Sequence, residues 1–181
     1  MKEFDVQDES IMVKGMLLTA FLQAFGAYKS RGERVLKRHL GGESIEINEN
    51  ELYPCSKVLA GFRELQDQFG PDFIQRVGQF LYENVPFPEE LDSFEATLAG
   101  MNPVYYGTHA NAEGKIGHYR FEKTGPKSGL MVCDNPYPCA FDMGILLGVA
   151  KSFGEEATIT HEKEEPCRRD GGERCTYRIE W

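Results

Sequence analysis

Cys167 and Cys175 are separated by seven residues that include Gly171-Gly172, and Glu164 and Glu165 stand just ahead of the first thiol. A loop of that length folds both sulfurs onto one ion, with the glycines free to take positive backbone dihedrals. Thiolates select zinc or iron, and a closed four-ligand shell marks a structural site rather than a catalytic one. With Cys167, Cys175 and one of the two carboxylates in place, one ligand must come from elsewhere. Cys139 is the first choice, because it opens a helix whose N-terminal dipole favours a thiolate, and Cys133 is the second. An iron-sulfur cluster on Cys133, Cys139, Cys167 and Cys175 ranks lower, since no C-x-x-C core is present. The plain alternative is a set of buried, reduced thiols. Five cysteines is an odd number and excludes complete internal pairing. Cys55, following Pro54, reads as a small apolar packing residue.

A second group is aromatic. Tyr105, Tyr106, His109 and Tyr119, with Phe62, Phe80 and Phe94, are the candidate lining of a pocket for a small, largely apolar molecule. The competing reading of His109 and His118 is that of ordinary hydrogen-bonded groups at a core edge. Glu89-Glu90 and Glu155-Glu156 read as carboxylates on solvated helix ends, and the basic run through Arg31, Arg34, Lys37, Arg38 and His39 as a solvated helix face. The sequence holds no G-x-S-x-G, no dinucleotide glycine motif and no phosphate loop, so nothing in it points to catalysis.

These groups need a scaffold of ordinary size. The 181 residues suffice for one domain with a substantial core, and 20 basic against 29 acidic residues, a net charge of −9, disfavour a nucleic-acid partner. No apolar run approaches the roughly 18 residues of a membrane span, and Met1 to Asp5 lacks the basic start of a leader; cytoplasmic placement is the expectation. Apolar residues recur at helical spacing over 10–40, from Ser56 to Gly70, from Pro71 onward, and again over 89–101. After Gly100 the period changes. Strands are expected over 115–122 and 129–133, a helix over 139–153 carrying Gly144 and Gly148, and strands near 156–162 and 174–181. On the last of these, alternation places Cys175, Tyr177, Ile179 and Trp181 on one face. The expected class is α+β: one domain over 1–181, its helical portion (1–102) packed on an antiparallel sheet formed by a strand-strand-helix-strand-strand unit (103–181).

The stretch from Cys139 through Gly144 and Gly148 to Glu164-x-x-Cys167-x7-Cys175 resembles the 4-vinyl reductase domain family, strongly over the last third and in outline before it. The resemblance implies a small-molecule-binding domain with zinc on Cys139, Glu164, Cys167 and Cys175. It also brings three rivals: an enzyme or accessory factor of tetrapyrrole metabolism, a pure interaction module, and a heme-based gas sensor. The last arises because the outline is also similar to heme-nitric-oxide-binding domains, whose proximal histidine lies on a helix well before the sheet. Here His109 stands only a few residues before the first expected strand. A sensor without its own output domain is expected to work as a homodimer and to signal to a protein partner.

Overall fold

The computed structural model describes residues 1–84, 87–163 and 166–181. A short strand β1 (Met12–Lys14) leads into α1 (Gly15–Ala24), a 3-10 turn (Gly26–Tyr28) and α2 (Lys29–Leu40). Strand β2 (Leu52–Pro54) is followed by α3 (Cys55–Phe69), α4 (Pro71–Asn84), α5 (Phe94–Gly107) and β3 (His109–Ala110). The hairpin β4 (Tyr119–Gly125) and β5 (Ser128–Cys133) precedes α6 (Cys139–Ser152), β6 (Thr158–His161), a 3-10 turn (Arg168–Asp170) and β7 (Cys175–Glu180). The class is α+β, and β4-β5-α6-β6-β7 reproduces the expected unit.

Two antiparallel sheets result. The larger has the order β4-β5-β7-β6, and its register sets Cys133 opposite Cys175 and His161 opposite Tyr177. The smaller, β2-β1-β3, has strands of two or three residues, too short for alternation to reveal them, and spacing alone assigned Met12–Lys14 to a helix. Two boundaries also differ. The helical run expected over 10–40 breaks at Gly26, which takes φ 51°. The helix expected from Glu89 begins at Phe94, where the Ser93 hydroxyl accepts from the Ala96 N–H.

One buried cluster joins helices and sheet, running from Ile11 and Leu18 through Leu59, Ile74 and Leu98 to Leu146, Tyr177 and Ile179. Close helix approach matters most between α4 and α6. A Cβ on Gly144 would stand 2.0 Å from the Gln75 carbonyl oxygen, and one on Gly148 2.6 Å from that of Gln79. The two glycines therefore let backbones touch, as their spacing suggests, and this draws α6 inward so that Cys139 and Asp142 are buried. Among the described residues no helix is long and apolar enough to cross a membrane.

Candidate metal centre and apolar cavity

Four side chains from three elements and a loop converge at one end of the larger sheet. Cys139 opens α6, where its N–H donates to the Glu3 carboxylate at 2.7 Å. His161 ends β6 and stacks on Tyr177, ring centroids 4.8 Å apart. Cys167 caps the 3-10 turn, and Cys175 begins β7 with its side chain on the buried face. Ligand atoms of Cys139, His161 and Cys167 lie within 4.8 Å of one another, and the Cys167 and Cys175 sulfurs are 3.6 Å apart. With Zn–S bonds of about 2.3 Å, a tetrahedral shell has S···S edges of about 3.8 Å, so the sulfur spacing suits a bound ion.

The loop is shaped for this. Gly171 takes φ 93°, and a Cβ on Gly172 would collide with the Pro166 carbonyl at 1.7 Å. The two glycines thus serve different ends, one a left-handed backbone and the other a close approach. The thiols are electrostatically uneven. The hydrogen bond from Cys139 draws the Cys175 thiol far below the ordinary cysteine range against the effect of burial, and His161 and Arg168 act in the same direction. That hydrogen bond, together with burial, pushes Cys139 up.

Of the residues the sequence proposes for this centre, Cys139, Cys167 and Cys175 are brought together. Cys175 joins them through its 3.6 Å contact with the Cys167 sulfur, whereas Cys133, opposite Cys175 on β5, belongs to neither that pair nor the Cys139–His161–Cys167 group. Glu164 and Glu165 lie outside the described residues. His161 was missed, and the available signal was alternation: Ile159 and His161 share the face of β6 that faces the helices, six residues ahead of Cys167. Arg168 was missed as well. Its side chain is completely buried, salt-bridged to equally buried Asp142, with Nε 3.4 Å from the Cys175 sulfur.

A cavity of about 70 Å³ lies between α1, α4, α5 and α6, walled by Leu81, Met101, Tyr105, His109, Tyr119 and Tyr137 among others. Its polar groups already have partners. The Tyr105 hydroxyl donates to the Ile116 carbonyl at 3.0 Å, and that of Tyr119 to Asp142 at 2.5 Å. The His109 Nδ1 is 2.8 Å from the Tyr105 carbonyl, which can only accept, so Nδ1 carries the proton. Nε2 then accepts the Tyr137 hydroxyl at 2.8 Å. Burial holds His109 neutral, its pKa lowered from 6.5 to about 4. Tyr137 also contacts the Cys55 thiol, which burial pushes up to about 12.

Among the proposed pocket residues, Tyr105, His109 and Tyr119 line this cavity. Phe62 lines a neighbouring void of about 10 Å³ that shares Leu17, Leu81, Tyr137 and Phe141 with it. The other three lie away from this cavity. Tyr106 faces an open surface depression and donates to the Gly117 carbonyl; Phe94 packs on Trp181 at 5.3 Å; Phe80, half-buried on α4, is not in the cavity wall. Helical spacing identifies the buried stripe but not which buried rings surround a gap.

No family model matches the chain, and no curated protein is similar to it in sequence. The fold, by contrast, has clear relatives. An H-NOX protein from S. oneidensis in the Fe(II)NO ligation state superposes with a TM-score of 0.72 at 18% identity, covering 92% of this chain and 98% of that one. An oxygen-binding H-NOX domain related to soluble guanylate cyclases gives 0.69 at 18% identity, covering 92% and 94%. A protein described for protein-induced porphyrin distortion gives 0.70 at 17%, covering 93% and 99%. The 4-vinyl reductase resemblance rests on the sequence motif alone. The chain has the fold shared by heme-nitric-oxide-binding domains.

Proposed function

We propose that this chain is a small-molecule-sensing domain in which a structural zinc ion, held by Cys139, Cys167, Cys175 and His161, anchors the last strands beneath an apolar ligand cavity. The observation carrying the metal reading is the grouping of the Cys139, His161 and Cys167 ligand atoms within 4.8 Å of one another, with the Cys175 sulfur 3.6 Å from that of Cys167, at the junction of α6, β6 and β7. Three cysteines and one histidine form a closed structural zinc set. Within this reading Glu164 is a competitor of His161 for the position beside Cys167. The zinc supplies cross-linking; the chain's own residues bind and orient.

The ligand reading rests on the cavity. Its wall is apolar, its polar groups have partners, and about 70 Å³ is roughly half of the approximately 150 Å³ engineered cavity known to stay dry and take benzene or xenon. The occupant that fits is small and uncharged, on the scale of xenon, a diatomic gas or a short hydrocarbon. We further propose that the domain acts as a homodimer presenting its state to a protein partner; sedimentation showing only monomer at tens of micromolar, roughly where regulatory dimers should hold, would count against this.

A heme-based gas sensor is the second reading, and the fold comparison taken alone favours it, since the neighbours include an H-NOX protein in the Fe(II)NO state, an oxygen-binding H-NOX domain and a protein described by its heme redox potential. The residues here do not fit the macrocycle. Pockets for ligands of drug size hold about 300–1,000 Å³, far more than this cavity, and both nitrogens of buried His109 are engaged by Tyr105 and Tyr137. Of the other histidines, His39 pairs with Glu64 and His118 with Asp134 at the surface, and His161 belongs to the thiol group.

Elemental analysis of protein purified without chelator tests the first reading, with one zinc ion per chain expected and none overturning it. Cobalt substitution then reports the donor set, because tetrahedral cobalt with three thiolates gives intense visible and thiolate charge-transfer bands. An intense heme band in the visible spectrum of the same preparation would instead establish the second reading.

A further inference from the structure

Arg168 stands between the two thiols of the loop, next to Cys167, and its guanidinium points into the protein with 1% residue exposure. Each edge of the fork has a partner. Nε reaches the Cys175 sulfur at 3.4 Å, Nη1 donates to the Asn135 main-chain and side-chain oxygens, the latter at 3.0 Å, and Nη2 pairs with Asp142. The network continues beyond these. Asp142 accepts from the Tyr119 hydroxyl at 2.5 Å and from the Asn135 amide at 3.3 Å, and the Asn135 side-chain oxygen accepts the Tyr137 N–H at 2.8 Å. Tyr119 and Tyr137 are walls of the apolar cavity, with ring centroids 5.2 and 6.2 Å from that of Tyr105.

We infer that Arg168 couples the metal centre to the cavity, so that metal binding and cavity occupancy strengthen one another. The inference rests on the metal reading above. A bound cation fixes Cys167 and Cys175, and these hold the guanidinium from its own backbone and from its Nε edge. The guanidinium holds Asp142 and Asn135, which in turn hold the hydroxyl of one cavity wall and the backbone of another. Arg168, Asp142, Asn135, Tyr119 and Tyr137 are all buried, so letting one bond go strands a charge or dipole away from water, and the network shifts as a unit. Without the metal, Arg168 loses two of its fixed points, and Tyr119 is free to leave Asp142 and turn toward the gap it borders. Linkage requires the converse: filling the cavity holds Tyr119 and Tyr137 in place and tightens the metal site by the same factor. A purely structural ion pair would set the register of α6 against the loop without this reciprocity.

Xenon, matched to the cavity in size and chemistry, is the probe. Its apparent affinity is read from methyl NMR shifts of Leu81, Met101 and Ile145 under xenon pressure, in zinc-loaded protein and after chelation. Metal removal is expected to weaken xenon binding by roughly five-fold or more, the lower range of allosteric couplings. In the double variant Arg168→Met/Asp142→Leu, which removes both charges together and leaves neither stranded, zinc is expected to remain and the dependence to vanish. Should chelated protein unfold, the reciprocal arm decides the matter: zinc affinity of the wild type, by competition with a chromophoric chelator, is expected to rise by a similar factor under xenon. Equal xenon affinity with and without zinc, equal zinc affinity with and without xenon, or a dependence that survives in the double variant would each overturn the coupling while leaving the metal reading standing. Absence of zinc uptake in the chelator titration would overturn the metal reading itself, and the coupling with it.

Discussion

Individual side chains decide the metal assignment, and they make unequal predictions. Cys167→Ser and Cys175→Ser each remove a sulfur from the 3.6 Å pair and are expected to abolish zinc in elemental analysis. Cys139→Ser and His161→Gln, each removing a member of the Cys139–His161–Cys167 group, should do the same, whereas Cys133→Ser should retain it. Zinc retained in Cys167→Ser would remove the centre as described. His109 makes a prediction of another kind. Its folded pKa, about 4, lies below the ordinary 6.5, so between those values the unfolded chain binds more protons and stability falls as pH falls. Raised Asp142, with a pKa of about 6 set chiefly by burial, acts in the opposite sense, so the effect is read as a difference. The stability advantage of wild type over His109→Gln should shrink by on the order of 3 kcal/mol from pH 6.5 to 4 in urea titrations. A difference independent of pH would place the His109 ring in contact with water. At this scale the sequence was legible where chemistry is local. The two loop thiols and the helix-start thiol announce themselves by type and spacing, but His161 reaches them through β6–β7 pairing, and Arg168, in a charged loop, looks solvated until the burial of Asp142 twenty-six residues away is known.

The elements that bring these side chains together depend on backbone contact more than on side-chain volume. Ala is ordinarily about 1 kcal/mol better than Gly inside a helix. At Gly144 that gain is overruled, because the added Cβ would lie 2.0 Å from the Gln75 carbonyl on α4, an atom that cannot rotate aside. Gly144→Ala is therefore expected to destabilise by about 1–3 kcal/mol through forced separation of α4 and α6, seen as a lower denaturation midpoint. Since α6 carries both Cys139 and Asp142, zinc affinity should fall with it. An unchanged midpoint would mean that the helices do not touch there. The two glycines were readable as a close-approach signal because their four-residue spacing places them on one helix face. The partner helix was not readable, since ridge-and-groove complementarity belongs to two surfaces at once. The three very short strands β1, β2 and β3 were invisible for a related reason, as their pairing is between segments about forty to a hundred residues apart.

For the molecule as a whole, the chain keeps the fold shared with H-NOX domains around an apolar gap of about 70 Å³. The likeness extends over nine-tenths of the chain at 17–18% identity, so the packing of helices on sheet is kept. Phe62, Tyr137 and Phe141 crowd the space beside the cavity, with Tyr137 and Phe141 stacked at 5.5 Å and Phe62 edge-on to both. What remains is a gap of about 70 Å³, which fits the small occupant proposed above. A ligand that binds only the folded state at ten times its dissociation constant stabilises it by about 1.4 kcal/mol. For a chain of this length that corresponds to roughly 3–6 °C in the melting temperature. Xenon or a short hydrocarbon is expected to give such a shift in the zinc-loaded protein. Benzene and larger rings should give less, because the wall must first open, and hemin should give neither a shift nor a stoichiometric absorption change. The Ile145→Phe variant, which places a ring in the cavity wall, should abolish the response to xenon while keeping zinc. A melting temperature that rises with hemin and ignores xenon would reverse the order of the two functional readings.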